Sequence, residues 1–305
     1  MALETRGLTA DDAGAFTASA ERAIAAGELL GSSIPHGERL VEWALLEPQH
    51  VGVAELDGAF AGWVQPEAKV LVVEPPFRRQ GVGTALVDLG LRMEAGRSRP
   101  NLLLGAVPDE EPAHAFLSAT AFELHSLLWD LELPAGVAVA EPGWPDGITA
   151  RSIRYATESH AFARLFNAAF ADHATPLQLP EDTVQEPPPE DPWKPEDVLV
   201  LEQGGELIAF TVTEPRRLEA GGVEPHAEIW TIGVRPDRQG AGLGRQLLRW
   251  GVAHLRRLGV ETVALSVNGR NPRALGLYES EGFVRTSTRE RWARPVDPVD
   301  PAPPR

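Results

Sequence analysis

The sequence has no cysteine in 305 residues, which excludes disulfides, thiolate metal sites and a cysteine nucleophile. Basic residues are also scarce, because 28 lysines and arginines stand against 44 acidic residues and the formal charge is −16. A protein of this charge repels duplex nucleic acid, so we expect no nucleic-acid partner. The same charge suits a cationic amine substrate; a surface that is acidic only for solubility is the alternative.

The sequence also lacks a stretch long and apolar enough to span a membrane. Its first residues, Met1–Arg6, do not form a basic region followed by an apolar one, so we expect a cytoplasmic protein without a membrane partner. Lysine occurs only at Lys69 and Lys194, which we attribute to genomic composition. The length is sufficient for two domains of ordinary size, each with its own core.

One segment occurs twice along the chain. Residues 78–83 (RRQGVG) match residues 239–244 (QGAGLG), and each copy follows an apolar strand pattern and precedes a helical one. The shift that places Arg78 opposite Gln239 is called the repeat offset below, and it predicts a tandem duplication. Without a gap, the repeat offset also aligns Glu67 with Glu228, Val73 with Val234, Pro75 with Pro236, Leu86 with Leu247, Gly90 with Gly251, Ala113 with Ala274 and Phe122 with Phe283.

Each repeated segment predicts an anion site. Glycines at a strand-to-helix turn let the backbone approach a ligand, and the first amides of the helix have no intrahelical acceptor. The positive end of the helix dipole adds to this, so phosphate is the expected ligand. Arginines near both turns supply charged donors; they are Arg78, Arg79, Arg238 and Arg245.

Residues 239–244 and 271–283 together resemble the two signatures of the GNAT superfamily of acetyl-CoA-dependent N-acetyltransferases. The first matches the Q/R-x-x-G-x-G/A pyrophosphate motif, and the second matches N-x-x-A-x-x-x-Y-x-x-x-G-F. The tandem layout is similar to that of the mycothiol synthase family. Two further features carry this resemblance, namely the stretch Asn167–Phe170 and Glu228, six residues before Val234 at the end of the central strand. The resemblance implies acetyl-CoA as the acyl donor and no metal.

The resemblance implies an α+β fold of two tandem GNAT-like domains, each a mostly antiparallel mixed sheet flanked by helices. We expect a degenerate N-terminal domain over residues 1–133, a linker over 134–147, a catalytic domain over 148–294 and a disordered tail over 295–305. Residues 181–196, acidic and rich in proline, predict a loop on the acceptor side. Asp57-Gly58 and Gly204-Gly205 predict hairpin turns. A monomer or a homodimer is expected.

Two residues are the candidate catalysts. An amine is mostly protonated at neutral pH, so a carboxylate must accept its proton, and Glu228 is the candidate general base. An amine anchor or a strand-edge charge is the alternative for Glu228, and His226 is the second candidate base. Tyr278 is the candidate general acid, because a phenol of pKa near ~10 is protonated at neutral pH and can donate to a departing thiolate. Its alternative is packing of the helix.

The resemblance also predicts a cofactor site. Backbone groups of Ile232, Gly233 and Val234 are expected to bind the pantetheine arm where their strand splays from its neighbour, and Gly233 suits a local irregularity there. Asn271 either caps a helix or binds the cofactor, and Arg273 either binds a phosphate or is a surface residue. The predicted cradle consists of Gln239, Gly240, Ala241, Gly242, Leu243, Gly244 and Arg245.

The first domain is expected to be catalytically silent. The repeat offset places Leu117 opposite Tyr278, and leucine cannot donate a proton; Glu110 falls opposite Asn271, and Asp109 opposite Arg270. Whether this domain binds acetyl-CoA is left open, because it keeps the cradle but has acidic residues at 109–111. A structural role is the alternative. Its candidate cofactor residues are Val73, Arg78, Arg79, Gln80, Gly81, Val82, Gly83 and Thr84.

The predicted function is transfer of an acetyl group from acetyl-CoA to a primary amine of a small molecule. A protein N-acetyltransferase and a non-catalytic acetyl-CoA-binding regulator are the alternatives, and other acyl-CoA donors are compatible with the motifs. Three positions differ from what the mycothiol synthase resemblance implies, at His173–Pro176, Glu214 and Ser266. This difference favours another amine as acceptor.

Overall fold

The structure is a computed structural model that describes residues 2–29, 37–97, 99–108, 110–171, 179–180, 194–218 and 221–297. The chain divides into two compact units. The first comprises residues 1–128 and 288–305, and the second comprises 129–287. The domain bounds predicted from the sequence, at 134–147 and 294, differ from this division, because they place the last strand up to residue 294 in the second domain. They stay a prediction. Residues 134–147 contain no helix or strand.

The first unit contains an antiparallel sheet in the order β1-β2-β3-β4. A separate strand, β5, pairs antiparallel with the end of the last strand of the chain. The elements are β1 (Leu3–Gly7), α1 (Ala13–Ala25), α2 (Gly37–Leu46), β2 (Gly52–Leu56), β3 (Ala59–Gln65), β4 (Val70–Val73), α3 (Val82–Gly96), β5 (Asn101–Ala106), α4 (Glu111–Ala119) and β6 (Glu123–Leu133). Strand β6 continues into the second unit.

The second unit has a mixed sheet in the order β12-β6-β11-β10-β9-β8-β7. Strands β10 and β11 are parallel, and β7 to β10 pair antiparallel in succession. The elements are β7 (Thr149–Ser152), α5 (Tyr155–Ala169), β8 (Val198–Gln203), β9 (Glu206–Glu214), β10 (His226–Val234), α6 (Leu243–Leu258), β11 (Thr262–Asn268), α7 (Pro272–Ser280) and β12 (Val284–Pro295). The predicted α+β fold with mostly antiparallel sheets is confirmed.

The repeat offset holds in the backbone as well as in the sequence. Helix α3 begins at Val82 and α6 at Leu243, and each is preceded by a left-handed glycine, with φ of 86° at Gly81 and 80° at Gly242. Helices α4 and α7 correspond at both ends, over 111–119 and 272–280. The sequence repeat is therefore a structural repeat.

The predicted helix faces and hairpins form as expected. In α6, Leu247, Leu248, Val252 and Leu255 are at most 1% exposed, because the 3.6-residue period places them on one face. Both predicted two-residue turns have positive φ at both positions, which fits the twist of the strands that they connect.

Two observations concern the whole of the described residues. No helix among them has the length and apolarity needed to cross a bilayer. No group of three or more acidic, histidine or cysteine side chains in this part of the chain is placed to hold a metal ion.

Candidate active site

Strands β10 and β11 separate part of the way along the second unit. Their parallel pairing covers only His226 to Glu228, opposite Thr262 to Ala264. Beyond Glu228, β10 continues to Val234 paired with β9 alone. In an extended strand alternate backbone groups point to opposite sides, so those of β10 that do not face β9 point into the gap. The predicted splay therefore begins at Glu228.

An irregularity of β10 occurs within this gap, but at a different residue from the one expected. The register with β9 shifts between Ile229 and Thr231, which makes Trp230 the bulged residue. Gly233 lies in regular pairing opposite Phe210. It is required for another reason, because a Cβ atom at Gly233 would lie 2.2 Å from the Phe210 ring.

The predicted cradle follows β10. A short 3-10 turn over Pro236–Arg238 leads to Gly240 and Gly242, with φ of 88° and 80°, and α6 begins immediately afterwards. A Cβ atom added at Gly242 would meet no atom of the described residues within 4 Å. The helix N-terminus therefore faces open space, and its first amides are suited to a phosphate. This is a fit between the residues present and the pyrophosphate that the motif implies.

The arginines near the cradle have different surroundings. One guanidinium nitrogen of Arg273 lies 3.8 Å from the position that a Cβ atom at Gly240 would take, so this side chain borders the loop. Arg245 instead donates to Ser280 at 3.1 Å and to Glu281. Burial raises the pKa of Glu281, but hydrogen bonds from Arg249 and Arg245 outweigh burial and hold that pKa below its ordinary value. Arg245 is thus an ion-pair partner of the next helix.

Glu228 lies at the point where the two strands part. It stands directly opposite Glu214 of β9, and residues in that relation have Cβ atoms about 5 Å apart. Two acidic side chains therefore leave the same face of the sheet beside the gap, and their negative charge favours a cation there. His226, the second candidate base, lies 3.5 Å from Glu132 at an exposed position.

Tyr278 occupies the middle of α7. Its ring lies 6.2 Å from that of Phe283 and packs against the core formed around Leu248 and Val263. Removal from water raises the pKa of the phenol to about 12. No hydrogen bond to its hydroxyl is formed by any described residue. Asn271 caps the same helix, because its side-chain oxygen accepts from the Ala274 amide at 3.0 Å.

The corresponding positions of the first unit are arranged differently. The carboxylate of Glu67 lies 2.8 Å from His50 Nδ1 and within 4 Å of Arg97 and Arg99. Leu117, which stands in place of Tyr278, is 3% exposed. Two arginines thus neighbour this carboxylate, and Leu117 has no hydroxyl in place of that of Tyr278.

The cradle of the first unit keeps its backbone form. Arg79 adopts a φ of 63° where the second unit has Gly240, and Arg78 donates to the Val73 carbonyl at 3.0 Å. A Cβ atom at Gly83 would lie 2.9 Å from the Phe116 ring, so this glycine allows close packing of α4 on α3. Cofactor binding in this unit stays a prediction.

Two features of the second unit were not found by sequence reasoning. Trp230 is 47% exposed, and its ring is stacked on that of Phe166 at 6.2 Å. Its position two residues after Glu228 is a signal that sequence reasoning could have used. Asp130 accepts hydrogen bonds from Ser266, at 2.7 Å, and from Ser287; nothing in the sequence pattern indicates this contact.

Several predictions fall wholly or partly outside the described residues. Residues 173–176 are not described, and of the predicted loop over 181–196 only 194–196 are. Lys194 precedes a 3-10 turn over Pro195–Asp197 that leads directly into β8. Asp109 also lies outside the described residues.

Comparison with known proteins gives a family match. The model of the Acetyltransferase (GNAT) family matches residues 161–283. The mycothiol acetyltransferase of Streptomyces bingchenggensis is 34% identical over 244 residues, which cover 78% of this chain and 75% of that protein. The mycothiol acetyltransferase of Salinispora arenicola is 31% identical over 256 residues, which cover 80% and 81% respectively.

Solved structures share the fold along the whole chain. A GCN5-related N-acetyltransferase from Sphaerobacter thermophilus has a TM-score of 0.67 at 22% identity, with 98% of this chain and 97% of that chain covered. A tandem GNAT protein from the clavulanic acid biosynthesis pathway has a TM-score of 0.63 at 18% identity, with 98% and 100% covered.

Proposed function

This chain belongs to the acetyltransferase (GNAT) family, and we propose that its second unit transfers an acetyl group from acetyl-CoA to the primary amine of a small cationic molecule. The observation that carries the proposal is the gap between β10 and β11. It has the Glu228 carboxylate at its closed end and leads along β10 to the glycine cradle before α6.

The donor is held by backbone groups in this proposal. The amides and carbonyls of Ile232 to Val234 that face the gap bind the pantetheine arm, and residues 239–245 bind the pyrophosphate together with Arg273. Asn271 contributes by capping α7. When bound, acetyl-CoA supplies a thioester that an amine can attack. Because the cradle recognises only the end that all acyl-CoA molecules share, the proposal extends to other acyl donors.

Glu228 acts as the general base. The acceptor arrives as an ammonium ion, and the carboxylate pair of Glu228 and Glu214 attracts it. Glu228 then takes the proton, directly or through a water, so that the neutral amine can attack the thioester carbonyl.

Tyr278 serves as the proton donor. Its pKa of about 12 keeps the hydroxyl protonated at neutral pH. A thiol that behaves like cysteine has a pKa of about 8.5, so complete transfer to the thiolate is uphill by about 5 kcal/mol. The hydroxyl therefore stabilises the departing sulfur by donating a hydrogen bond, and the proton follows as the thiol leaves.

The acceptor is a small molecule with a ring or an apolar face next to its amine. Trp230 is exposed and is held by Phe166, so it offers an aromatic surface close to the carboxylates. The relatives are mycothiol acetyltransferases, yet Glu214 and Ser266 differ from the residues that the sequence resemblance implies. We propose that the acceptor carries a primary amine, as the substrates of the relatives would, but that the rest of the acceptor, which contacts Glu214 and Ser266, is different.

The first unit is non-catalytic in this proposal. Glu67 is paired with cations and Leu117 replaces the proton donor, whereas residues 78–84 and Val73 keep the form of a cradle. We propose that this unit retains a binding site for acetyl-CoA. The same proposal includes the two domains over residues 1–133 and 148–294. It also includes a cytoplasmic location, where acetyl-CoA is available.

Calorimetric titration with acetyl-CoA tests the proposal. Gly242→Glu places a carboxylate in the open space before α6, and Gly242→Ala is the matched control with the same left-handed backbone but no charge. We expect the glutamate variant to lose the binding event that the alanine variant keeps, and to lose thiol release with a library of amines. Unchanged binding in both variants would disprove the cradle. Binding without turnover of any amine would favour the regulator alternative.

A further inference from the structure

Lys69 lies where β4 approaches β5 of the first unit, two strands that belong to different sheets. Its carbonyl accepts a hydrogen bond from the Gly105 amide of β5 at 2.8 Å. Immediately after it β4 begins, and β4 is the edge strand of its own sheet. Lys69 has a φ of 60°, a left-handed conformation that is rare for a residue with a side chain. The chain turns here, where β4 departs from β5.

The repeat offset shows which residue of the second unit corresponds to Lys69. It places Lys69 opposite Trp230, the bulged residue of β10. It also places β4 opposite Thr231–Val234, which includes the residues proposed to bind the pantetheine arm, Ile232 to Val234. The cradle before α3 corresponds residue by residue to that before α6. A donor bound in the first unit as proposed for the second would therefore bring its thioester to Lys69.

The surroundings of the Lys69 amine favour its neutral, nucleophilic form. The side chain is partly buried, and Nζ donates to the Glu67 carbonyl at 3.2 Å. Burial lowers the pKa of Lys69 to about 8; the positive charges of Arg291, Arg99 and Arg289 act in the same direction, and Glu94 opposes them. At pH 8 about half of these amines are neutral, against roughly one in 300 for a lysine of ordinary pKa.

We propose that Lys69 is a self-acetylation site that takes its acetyl group from acetyl-CoA held by the first unit. The lone pair of Nζ attacks the thioester carbonyl, a C–N bond forms and the C–S bond breaks. The amine proton passes to solvent and the thiolate is released as CoA. The product is an amide at Lys69, which removes one positive charge from a group that also contains three arginines. This inference rests on the proposed cradle of the first unit and not on catalysis in the second.

The test can compare Lys69 with a single other lysine, because Lys194 is the only other one in the sequence. The intact protein is incubated with acetyl-CoA at pH 8, and acetyl groups at Lys69, at Lys194 and at the N-terminus are then quantified by mass spectrometry of peptides. We expect occupancy at Lys69 to exceed that at Lys194 by roughly tenfold or more. Equal labelling of the two lysines, or none at Lys69, overturns the proposal.

Variants identify the source of the acetyl group. Gly81→Glu blocks the first cradle, with Gly81→Ala as its uncharged control, since a Cβ atom at Gly81 comes no closer than 4.0 Å to any described atom. We expect labelling of Lys69 to fall in the glutamate variant alone. Labelling that persists there means that the donor comes from solution, which overturns the assigned source. Lys69→Arg keeps the positive charge and should show no acetyl group at this position.

A second variant separates this inference from the proposed function. Glu228→Gln removes the candidate base of the second unit, so it should abolish turnover of the amine substrate but leave acetylation of Lys69 unchanged. Loss of Lys69 labelling in Glu228→Gln would assign the modification to the second unit and overturn the proposal. If the wild-type protein labels Lys69 but turns over no amine, the inference stands and the proposed function loses its support.

Discussion

At the scale of the residue, the two copies of one carboxylate have different chemistry. Glu67 lies within 4 Å of Arg97 and Arg99, and these two cations oppose the approach of an ammonium ion. Glu228 instead stands opposite another carboxylate. Two negative charges on one face of the sheet favour the approach of an ammonium ion. The difference arises from neighbours far apart in the sequence.

Tyr278→Phe removes only the hydroxyl of the candidate proton donor. We expect kcat to fall by about 10²- to 10⁴-fold, with little change in the dissociation constant for acetyl-CoA. The active form is the protonated phenol, and that form is lost only as pH rises through about 12. Steady-state kinetics of both proteins from pH 6 to pH 10 should therefore differ by a constant factor.

A pH-dependent ratio would contradict this assignment. If the wild-type rate alone fell with a midpoint near pH 9 or 10, the pKa of the phenol would not be raised and Tyr278 would be exposed to solvent. An unchanged kcat in Tyr278→Phe would give the tyrosine only a packing role. Its ring contact with Phe283 is retained in the variant, so stability serves as the internal control.

The two opposed glutamates can be separated by kinetics. Glu228→Gln should lower kcat by about 10²-fold or more, because the amine then has no base. Glu214→Gln is the matched variant, and it should mainly raise KM for the amine, because it removes attraction but not proton transfer. Measuring both constants for one amine substrate decides the roles. Equal effects of the two variants on KM alone would make both residues anchors and would favour another base, such as His226.

At the scale of the element, the sequence repeat predicts much of the fold. The repeat offset places the starts of α3 and α6 correctly, as well as both ends of α4 and α7. These elements depend on local signals, namely apolar periodicity, left-handed glycines and prolines. The bulge at Trp230 was not predicted, because it is defined by pairing with β9 and not by any residue type in β10.

The candidate site was predicted to a similar extent. The glycine turn forms between β10 and α6, because strand, turn and helix are continuous in sequence; the roles of its residues stay a prediction. The surroundings that set their chemistry were not predicted. These surroundings are contacts between elements separated by many residues. Glu214 stands opposite Glu228, and Arg245 donates to Glu281. The Phe166 ring stacks on Trp230. Their formation depends on the register and packing of the whole unit.

The contact between β9 and β10 gives a prediction about stability. Gly233→Ala forces a methyl group into the Phe210 ring, which is fully buried. We expect the free energy of unfolding to fall by about 1–3 kcal/mol, as in other overpacked cores. Gly276→Ala in α7 is the matched control, because a Cβ atom there meets nothing within 4 Å and alanine favours a helix. Denaturant unfolding measures both. A neutral Gly233→Ala would mean that Phe210 moves freely.

A buried ion pair links the turn before β8 to α6 in the second unit. Asp197 is 0% exposed and accepts from Arg217 at 2.6 Å and lies 3.0 Å from His254. Burial opposes its charge, but the hydrogen bonds from His254 and Arg217 hold the pKa of Asp197 below its ordinary value. A carboxylate with a lowered folded-state pKa stabilises the fold above its unfolded pKa. That contribution is lost as pH falls below about 4.

Asp197→Asn should therefore destabilise the protein by about 2 kcal/mol at pH 7, because it removes a buried carboxylate that accepts a charge-assisted hydrogen bond from Arg217. The cost should shrink as pH falls below about 4, where the wild type loses the same contribution. Unfolding is measured at pH 7 and at pH 3, with the exposed Asp237→Asn as control. A difference that stays constant with pH would show that the carboxylate contributes only its shape.

At the scale of the whole molecule, the repeat and the compact units do not coincide. Strand β12 begins in the second unit, as the repeat requires, but its residues from Thr288 onward belong to the first. There Glu290–Pro295 pair with Asn101–Ala106 of β5. Glu290 and Arg291 are 7% and 4% exposed, and Glu290 lies 2.8 Å from His114. The first unit thus needs residues from the far end of the sequence.

In a chain ending at Ser287, the first unit should therefore unfold, although the helix and strand patterns of residues 1–128 are all still present. Removal of β12 after that residue leaves β5 without its pairing partner and exposes the core around Leu102 and Leu104, which Trp292 helps to cover. A chain ending at Asp297 removes only residues outside the described part and is the control. Limited proteolysis and calorimetry should show an unfolded first unit in the shorter chain alone. If both chains melt alike, β5 does not depend on β12, and the domain bounds predicted from the sequence would describe the folding units better than the contacts do.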